Sequence, residues 1–367
     1  MNTLVIGIDA RAAADVAGGR GRYVRELLRA LATLDEAADC RFLLYARSIW
    51  EDPALDDRFD WQLIGARDVA WHVLAARRAS KDAHVFLSTN SYLTAWFTSV
   101  PTAIVVYDLV PFESPDAAQS RASRIERATI RPALRRAAGL ACISQATLDD
   151  LVRRFPIARR TARVIPLAAD EAFRGAAPGD VASRFAIDRP YVLSVATLEP
   201  RKNLERLISA WRELDDRLRN AHALVLVGAR GWEESTILLA ARESNVHVLG
   251  HVTDDDLVAL YAGARVFAYP SLYEGFGLPV LEAMSAGVPV ITSNCSSLPE
   301  VAGDAALLVD PLDPSAIRDA LARLLGDSVL ATTLRSRGLA QAGRFSWAKT
   351  ARETLELLRS IAADPRG

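Results

Sequence analysis

The sequence predicts an α/β protein of two Rossmann-like, doubly wound parallel-sheet domains facing each other across a cleft. Three observations predict it: the length of 367 residues, two series of short apolar runs alternating with longer helical stretches, and one break between the series. A chain of this length exceeds what one ordinary core holds. With 50% hydrophobic residues, each half can bury a core of its own.

The first series is Leu4 to Ile8, Phe42 to Tyr45, Val85 to Leu87, Ala103 to Tyr107, Leu140 to Ile143 and Arg163 to Leu167. Apolar runs this short, separated by helical stretches, read as parallel strands of βαβ units. The rhythm lapses over Ala168 to Arg189, where Gly175, Pro178 and Gly179 precede Pro190 without apolar periodicity, and this stretch is expected to be a linker. The second series is Tyr191 to Ala196, Ala223 to Val227, Val246 to Leu249, Val266 to Tyr269, Pro289 to Thr292 and Ala306 to Val309. Domains are therefore expected at residues 1–175 and 186–345. A last segment, 346–367, carries Leu355, Leu357 and Leu358 at helical spacing, to cap its own domain or cross back to the first. Ligands of such sheets sit at the carboxyl ends of the strands, so function is sought between the domains.

A formal charge of −1 argues against a nucleic-acid binder, which shows a basic excess over a whole domain. Cys40, Cys142 and Cys295 are odd in number and far apart, which suggests neither a disulfide framework nor a zinc site and fits a reducing cytosol. His72, His84, His222, His247 and His251 form no ligand spacing, so no metal is expected. The opening MNTLVIGIDA enters directly as a strand, and no run approaches the roughly 18 apolar residues of a spanning helix. The expectation is a protein kept inside the cell.

The stretch Pro270 to Pro289 carries the most chemistry. A strand end leads into a loop with Gly275, Phe276, Gly277 and Leu278, and Pro279 stands where a helix begins. Free backbone N–H groups and the positive helix end make such a turn an anion site, and glycine lets a diphosphate come close. Glu274 precedes the loop and Glu282 is expected in the first helical turn, where carboxylates suit the hydroxyls of a nucleotide sugar. The competing reading makes Glu282 a complement to the helix dipole and Glu274 a loop cap, and spacing alone does not separate the two.

A second cluster, Thr197 to Asn203, follows the first strand of the second domain. Arg201 and Lys202, presented by a loop that Pro200 stiffens, suit a donor diphosphate and the charge that grows on it as a glycosidic bond breaks. A solvated charged loop is the commoner fate of an Arg-Lys pair, but its place at a strand's carboxyl end favours the binding role. In the first domain Gly18 and Gly19 form a turn between the opening strand and a helix starting near Arg20. They make no GxGxxG fingerprint, and a structural tight turn is an equal reading.

The runs TLEPRKNLERLI (Thr197 to Ile208), PSLYEGFGLPVLEAM (Pro270 to Met284), SSLPEVAGDAALLVDPLD (Ser296 to Asp313) and FSW (Phe345 to Trp347) resemble the retaining GT-B glycosyltransferases of family 4, across the second domain. The first domain resembles them more loosely, through Gly18-Gly19, Tyr107 to Pro111 and Ser144. The resemblance implies a GT-B fold whose C-terminal helix crosses back to the first domain. It implies an E-x7-E motif on Glu274, contacting the transferred sugar, and Glu282, contacting ribose. Catalytic roles would fall on Glu274, Arg201, Lys202 and Asp108. Donor binding would use Gly18, Gly19, Thr197, Arg201, Lys202, His251, Val252, Glu274, Gly275, Phe276, Gly277, Leu278 and Glu282. Tyr107, Asp108 and Ser144 would line an acceptor or sugar pocket. No metal or other cofactor is implied, and the departing diphosphate itself can take the acceptor's proton.

The implied activity is transfer of a mannose- or rhamnose-type hexose from a nucleotide diphosphate donor, GDP-linked rather than UDP-linked. The acceptor would be lipid-linked or polysaccharide, in O-antigen, capsule or exopolysaccharide synthesis. Many relatives have His-Asp where this chain has Tyr107-Asp108, which favours a donor lacking the 6-hydroxyl. Rival readings are a nucleotide-sugar 2-epimerase and a non-catalytic scaffold binding nucleotide sugars. From Arg121 to Arg163 eleven arginines face three acids, on a helix that Pro132 is expected to kink in its first part. This excess suits an anionic membrane at the inner face of the plasma membrane, against the plainer reading of a solvated helix face. The tryptophans read as packing, with Trp96 a candidate for an acceptor entrance.

Overall fold

The computed structural model describes residues 3–15, 18–113, 121–232 and 234–363. It divides into two compact units, Met1–Leu167 with Ser346–Gly367, and Ala168–Phe345.

The first unit is built on a seven-stranded parallel sheet of β1 (Leu4–Asp9), β2 (Cys40–Ala46), β3 (Phe59–Leu63), β4 (Val85–Ser88), β5 (Thr102–Val106), β6 (Gly139–Cys142) and β7 (Ala162–Val164), in the order β3-β2-β1-β4-β5-β6-β7. The inner strands are buried on both faces, as helices on each side of a parallel sheet require. β3 lies at the sheet edge with Asp60 and Gln62 half-buried, so no apolar run marks it in the sequence. β7 is shorter than the expected Arg163 to Leu167, because Pro166 has no N–H to continue the ladder. Helix Arg121–Arg136 runs unbroken through Pro132.

The second unit carries a six-stranded parallel sheet: β8 (Tyr191–Val195), β9 (Ala223–Val227), β10 (His247–Gly250), β11 (Val266–Tyr269), β12 (Val290–Ser293) and β13 (Ala306–Val309), in the order β10-β9-β8-β11-β12-β13. Its core joins β8, β9 and β11 to the helices Leu204–Arg212 and Pro314–Gly326 through Leu207, Trp211, Leu224, Leu226, Leu321 and Leu324. In both sheets the chain order reverses beside the first strand of the unit, between β1 and β4 and between β8 and β11, where ligands of doubly wound sheets bind.

The stretch expected to be a linker is folded into the second unit. Asp170 caps a turn at Glu171–Phe173, and Phe173 and Val181 are buried, Phe173 against the Tyr261 ring at 5.2 Å. Single apolar residues anchor it, so periodicity cannot reveal it. The closing helix Trp347–Ala362 belongs to the first unit. Thr350 Oγ1 donates to Pro166 O (2.6 Å), Arg352 Nε donates to Glu36 Oε1 (2.7 Å), and Leu355, Leu357 and Leu358 are buried.

Candidate functional site

The two motif loops of the second unit meet because β8 and β11 are neighbours at the point of reversal. The loop after β8 turns at Pro200–Lys202 and ends on Asn203, which takes the left-handed conformation (φ 61°) that asparagine tolerates better than most residues. Asn203 is buried, and its Nδ2 donates to Pro270 O (2.9 Å) and Pro311 O (2.7 Å), tying the basic turn to the end of β11 and the loop beyond β13. Leu272 N donates to Arg201 O (2.9 Å), and Ser271 Oγ stands 3.1 Å from the same oxygen.

On this frame the basic pair and the first glutamate converge. Lys202 Nζ donates to Glu274 Oε1 at 2.6 Å and Arg201 Nη1 lies 3.1 Å from the same oxygen. Ser271 Oγ (2.7 Å) and Tyr269 Oη (2.8 Å) also donate to it, and Tyr269 Oη accepts from Lys202 Nζ (2.9 Å). Arg201 Nη2 donates to Glu199 Oε1 at 2.6 Å. Burial pushes the Glu274 carboxyl up, but the Lys202 and Arg201 charges and the hydrogen bonds from Lys202 and Ser271 outweigh it and hold the group at about 2. On Lys202 burial prevails over the pull of Glu274, and its pKa is lowered. Two cations and two carboxylates thus form a buried, locked network, and Tyr269, Ser271 and Glu199 complete it beyond the residues singled out from sequence.

Gly277 (φ 105°) caps helix Leu278–Ser285, and a Cβ there would strain the backbone and lie 2.7 Å from Leu298 Cδ2, so glycine is favoured. Ser297 Oγ donates to Phe276 O (2.7 Å) and stands 2.9 Å from Glu274 O, and Ser296 Oγ accepts from Glu274 N (3.0 Å). Phe276 is buried edge-on against Phe345 at 5.8 Å, which makes its ring a packing group. Glu282 is the fifth residue of its helix, past the first turn expected for it, and there it is too deep to complement the dipole directly. It is 3% exposed, and Tyr261 Oη donates to its Oε2 at 3.0 Å. Thr197 and His251 are exposed, Val252 is buried and Leu278 is half-buried.

In the first unit Gly18 caps helix Gly19–Thr33 after β1, and a Cβ on Gly18 or Gly19 would meet nothing within 4 Å. Tyr107 follows β5. Its ring lies 5.3 Å from Arg20 Cζ and edge-on to Tyr23 at 5.4 Å, and its buried hydroxyl has no hydrogen-bond partner among the described residues. Asp108 Oδ1 accepts from Val110 N at 2.9 Å. Ser144 is a helix cap, its Oγ accepting from Thr147 N at 3.0 Å, because the chain enters helix Gln145–Arg154 there. Trp96 Nε1 donates to Thr129 O (3.1 Å), which makes Trp96 a packing residue. His72 and His84 are structural: His72 Nδ1 meets Thr94 Oγ1 at 2.7 Å and His84 Nδ1 accepts from Val5 N at 3.0 Å.

Comparison with known proteins gives the family. Residues 181–360 match the model of glycosyl transferases group 1, and residues 17–173 match that of glycosyltransferase family 4. The chain is 32% identical to O-antigen chain mannosyltransferase B of Escherichia coli over 94% of this chain and 96% of that one. It is 38% identical to a serotype-specific mannosyltransferase of Escherichia coli, over 47% of this chain and 22% of that longer protein. The structure of sucrose-phosphate synthase from Thermosynechococcus elongatus superposes with a TM-score of 0.79 at 23% identity, covering 98% of this chain and 99% of that one, which establishes the GT-B fold. The chain therefore belongs to the GT-B glycosyltransferases of family 4, as a mannosyltransferase-like hexosyltransferase of glycan biosynthesis.

Proposed function

We propose that this chain is a retaining, metal-independent mannosyltransferase that takes mannose from GDP-mannose and extends a lipid-linked or polysaccharide acceptor of a bacterial surface glycan. The observation that carries the reading is the convergence of Lys202 and Arg201 on Glu274 Oε1. In the proposed mechanism the two cations hold the diphosphate and neutralise the charge it gains as the sugar bond breaks, the task a divalent ion performs elsewhere. Glu274 faces the sugar and Glu282 the ribose. The acceptor hydroxyl attacks from the face the diphosphate leaves, and the leaving oxygen takes its proton.

Two further observations support the reading. Packing does not demand glycine at positions 18 and 19, whereas close approach of a ligand does. Mannosyltransferases lead the relatives, which favours mannose over the 6-deoxy donor that Tyr107 suggested. The same proposal includes docking to anionic lipid. Arg124, Arg127, Arg131, Arg135, Arg136, Arg153, Arg154, Arg159, Arg160 and Arg163 are all exposed, beside exposed Ile125 and Ile157. Each such basic residue near the surface contributes about 1 kcal/mol. No helix among the described residues is long and apolar enough to cross a membrane.

The test is a thermal-shift panel of GDP, UDP, TDP and ADP, followed by transfer from GDP-mannose and its 6-deoxy analogue with and without EDTA, and by NMR of the product's anomeric centre. Selective stabilisation by GDP, turnover unaffected by EDTA and an α-linked product are expected. A β-linked product or a response confined to UDP overturns the reading. Vesicle binding that is indifferent to anionic lipid removes the docking part alone.

A further inference from the structure

Helix Arg121–Arg136 turns Arg124, Arg127, Arg131, Arg135 and Arg136 outward and one acid inward. Ile130, Ala133 and Leu134 form its buried apolar stripe, and Glu126 lies one turn before Ile130 toward the helix start. A carboxylate in an apolar stripe is costly unless it is paired and hydrogen-bonded. Glu126 is paired only loosely: Arg20 Nη2 stands 3.9 Å from its Oε2, an ion pair outside hydrogen-bond reach. Arg20 follows the Gly18-Gly19 turn and keeps 41% of its side chain accessible while lying over the Tyr107 ring. Asp108, after β5, bears electrostatically on both Arg20 and Glu126. Tyr92, after β4, bears on both as well.

We propose that Arg20, Glu126 and Asp108 form a saccharide-binding cluster for the hydroxyls of the acceptor sugar, with Glu126 the carboxylate that sets acceptor specificity.

The charge balance selects the ligand class. With both acids ionised, two carboxylates against one guanidinium leave the cluster an excess negative charge, which suits a neutral polyol better than an anion. Carboxylates accept from neighbouring hydroxyls, and the guanidinium donates to a third. Burial, opposed by the charge of Arg20 and helped by that of Asp108, raises the Glu126 carboxyl to about 7. Its ionised form, the better acceptor, therefore accumulates as pH rises through neutrality. The inference rests on the glycosyltransferase reading for its ligand, but its test does not need turnover.

Saturation-transfer NMR of the full chain with methyl glycosides of mannose, glucose, galactose, rhamnose and N-acetylglucosamine, and with a trimannoside, reads the cluster directly. The wild type is expected to bind at least one of them, more tightly above about pH 7 than below it. E126Q is expected to weaken that binding roughly tenfold and to abolish its pH dependence, with R20Q weakening it similarly. The GDP-induced thermal shift should be the same in all three proteins, which separates a folding defect from a lost contact. Absence of saccharide binding by the wild type, or unchanged affinity and pH profile in E126Q, overturns the proposal. A missing GDP response alongside saccharide binding that E126Q abolishes counts against the donor assignment and leaves the cluster standing.

Discussion

Lys202 Nζ and Glu274 Oε1 lie 72 residues apart in sequence and 2.6 Å apart in space, an ion pair with both side chains nearly buried. Removing one member strands the other without compensation. Lys202→Met is therefore expected to lower stability by roughly 3–5 kcal/mol by urea denaturation, and to cut kcat about a hundredfold or more through loss of charge stabilisation at the diphosphate. A variant retaining wild-type turnover removes Lys202 from the mechanism.

Acid should expose the same pair. The folded carboxyl at about 2 lies below its ordinary 4.5, so Glu274 contributes stability that is present above about 4.5 and lost as pH falls toward 2. The full contribution is on the order of 3 kcal/mol. Glu274→Gln lacks this titration. The stability gap between wild type and variant should shrink from about pH 5 to pH 2, measured by urea unfolding at each pH. A gap that is constant across that window shows that Glu274 is not held down by its cations.

Much of this site was legible in the sequence, for identifiable reasons. β11 is an apolar run, and Gly275, Gly277 and Pro279 mark the turn and helix after it, so the glycine loop shows in one dimension. Tyr269 and Ser271 did not show, because a tyrosine ending a buried strand and a serine beside a proline read as core and turn until Glu274 is placed among them. Ser296 and Ser297 act on the loop from 22 and 23 residues away, a distance that local pattern does not encode. Glu282 was misplaced by a turn because the helix begins at Leu278 and counts five residues to it. β3 escaped notice because an edge strand needs only one buried face.

Asn203 does two separable jobs, and two substitutions divide them. Asn203→Gly keeps the left-handed backbone but leaves Pro270 O and Pro311 O without its amide, whereas Asn203→Ala loses the amide and strains the turn as well. The alanine variant should be the less stable by about 1 kcal/mol in chemical denaturation. Both should lose turnover, since the basic turn loses its amide ties to Pro270 O and Pro311 O. Equal stability of the two variants shows that the backbone conformation costs nothing at this position.

Gly277→Ala meets both a positive φ and the Leu298 side chain. A loss of roughly 1–3 kcal/mol is expected from the backbone alone. Leu298→Ala in the same chain relieves the contact and leaves the strain, so the double variant should recover only part of the loss relative to Leu298→Ala by itself. If the helix start binds the diphosphate, the GDP-induced thermal shift should shrink in Gly277→Ala. An unchanged shift places the phosphates elsewhere.

The closing helix gives the first unit a seal that the second does not share. Leu358 is fully buried and Leu357 packs where a Cβ on Gly139 would lie 2.9 Å from its Cδ1, so the helix sits tightly on the sheet at β6. Leu358→Ala removes apolar atoms from that contact and should cost about 2–5 kcal/mol. Because the damage falls in the unit that carries Gly18 and Tyr107, and not in the one that carries Lys202 and Glu274, the stabilisation produced by saturating GDP should survive it. Thermal unfolding with and without GDP reads both quantities at once. Loss of the GDP response in Leu358→Ala shows that the proposed donor binding depends on the first unit too.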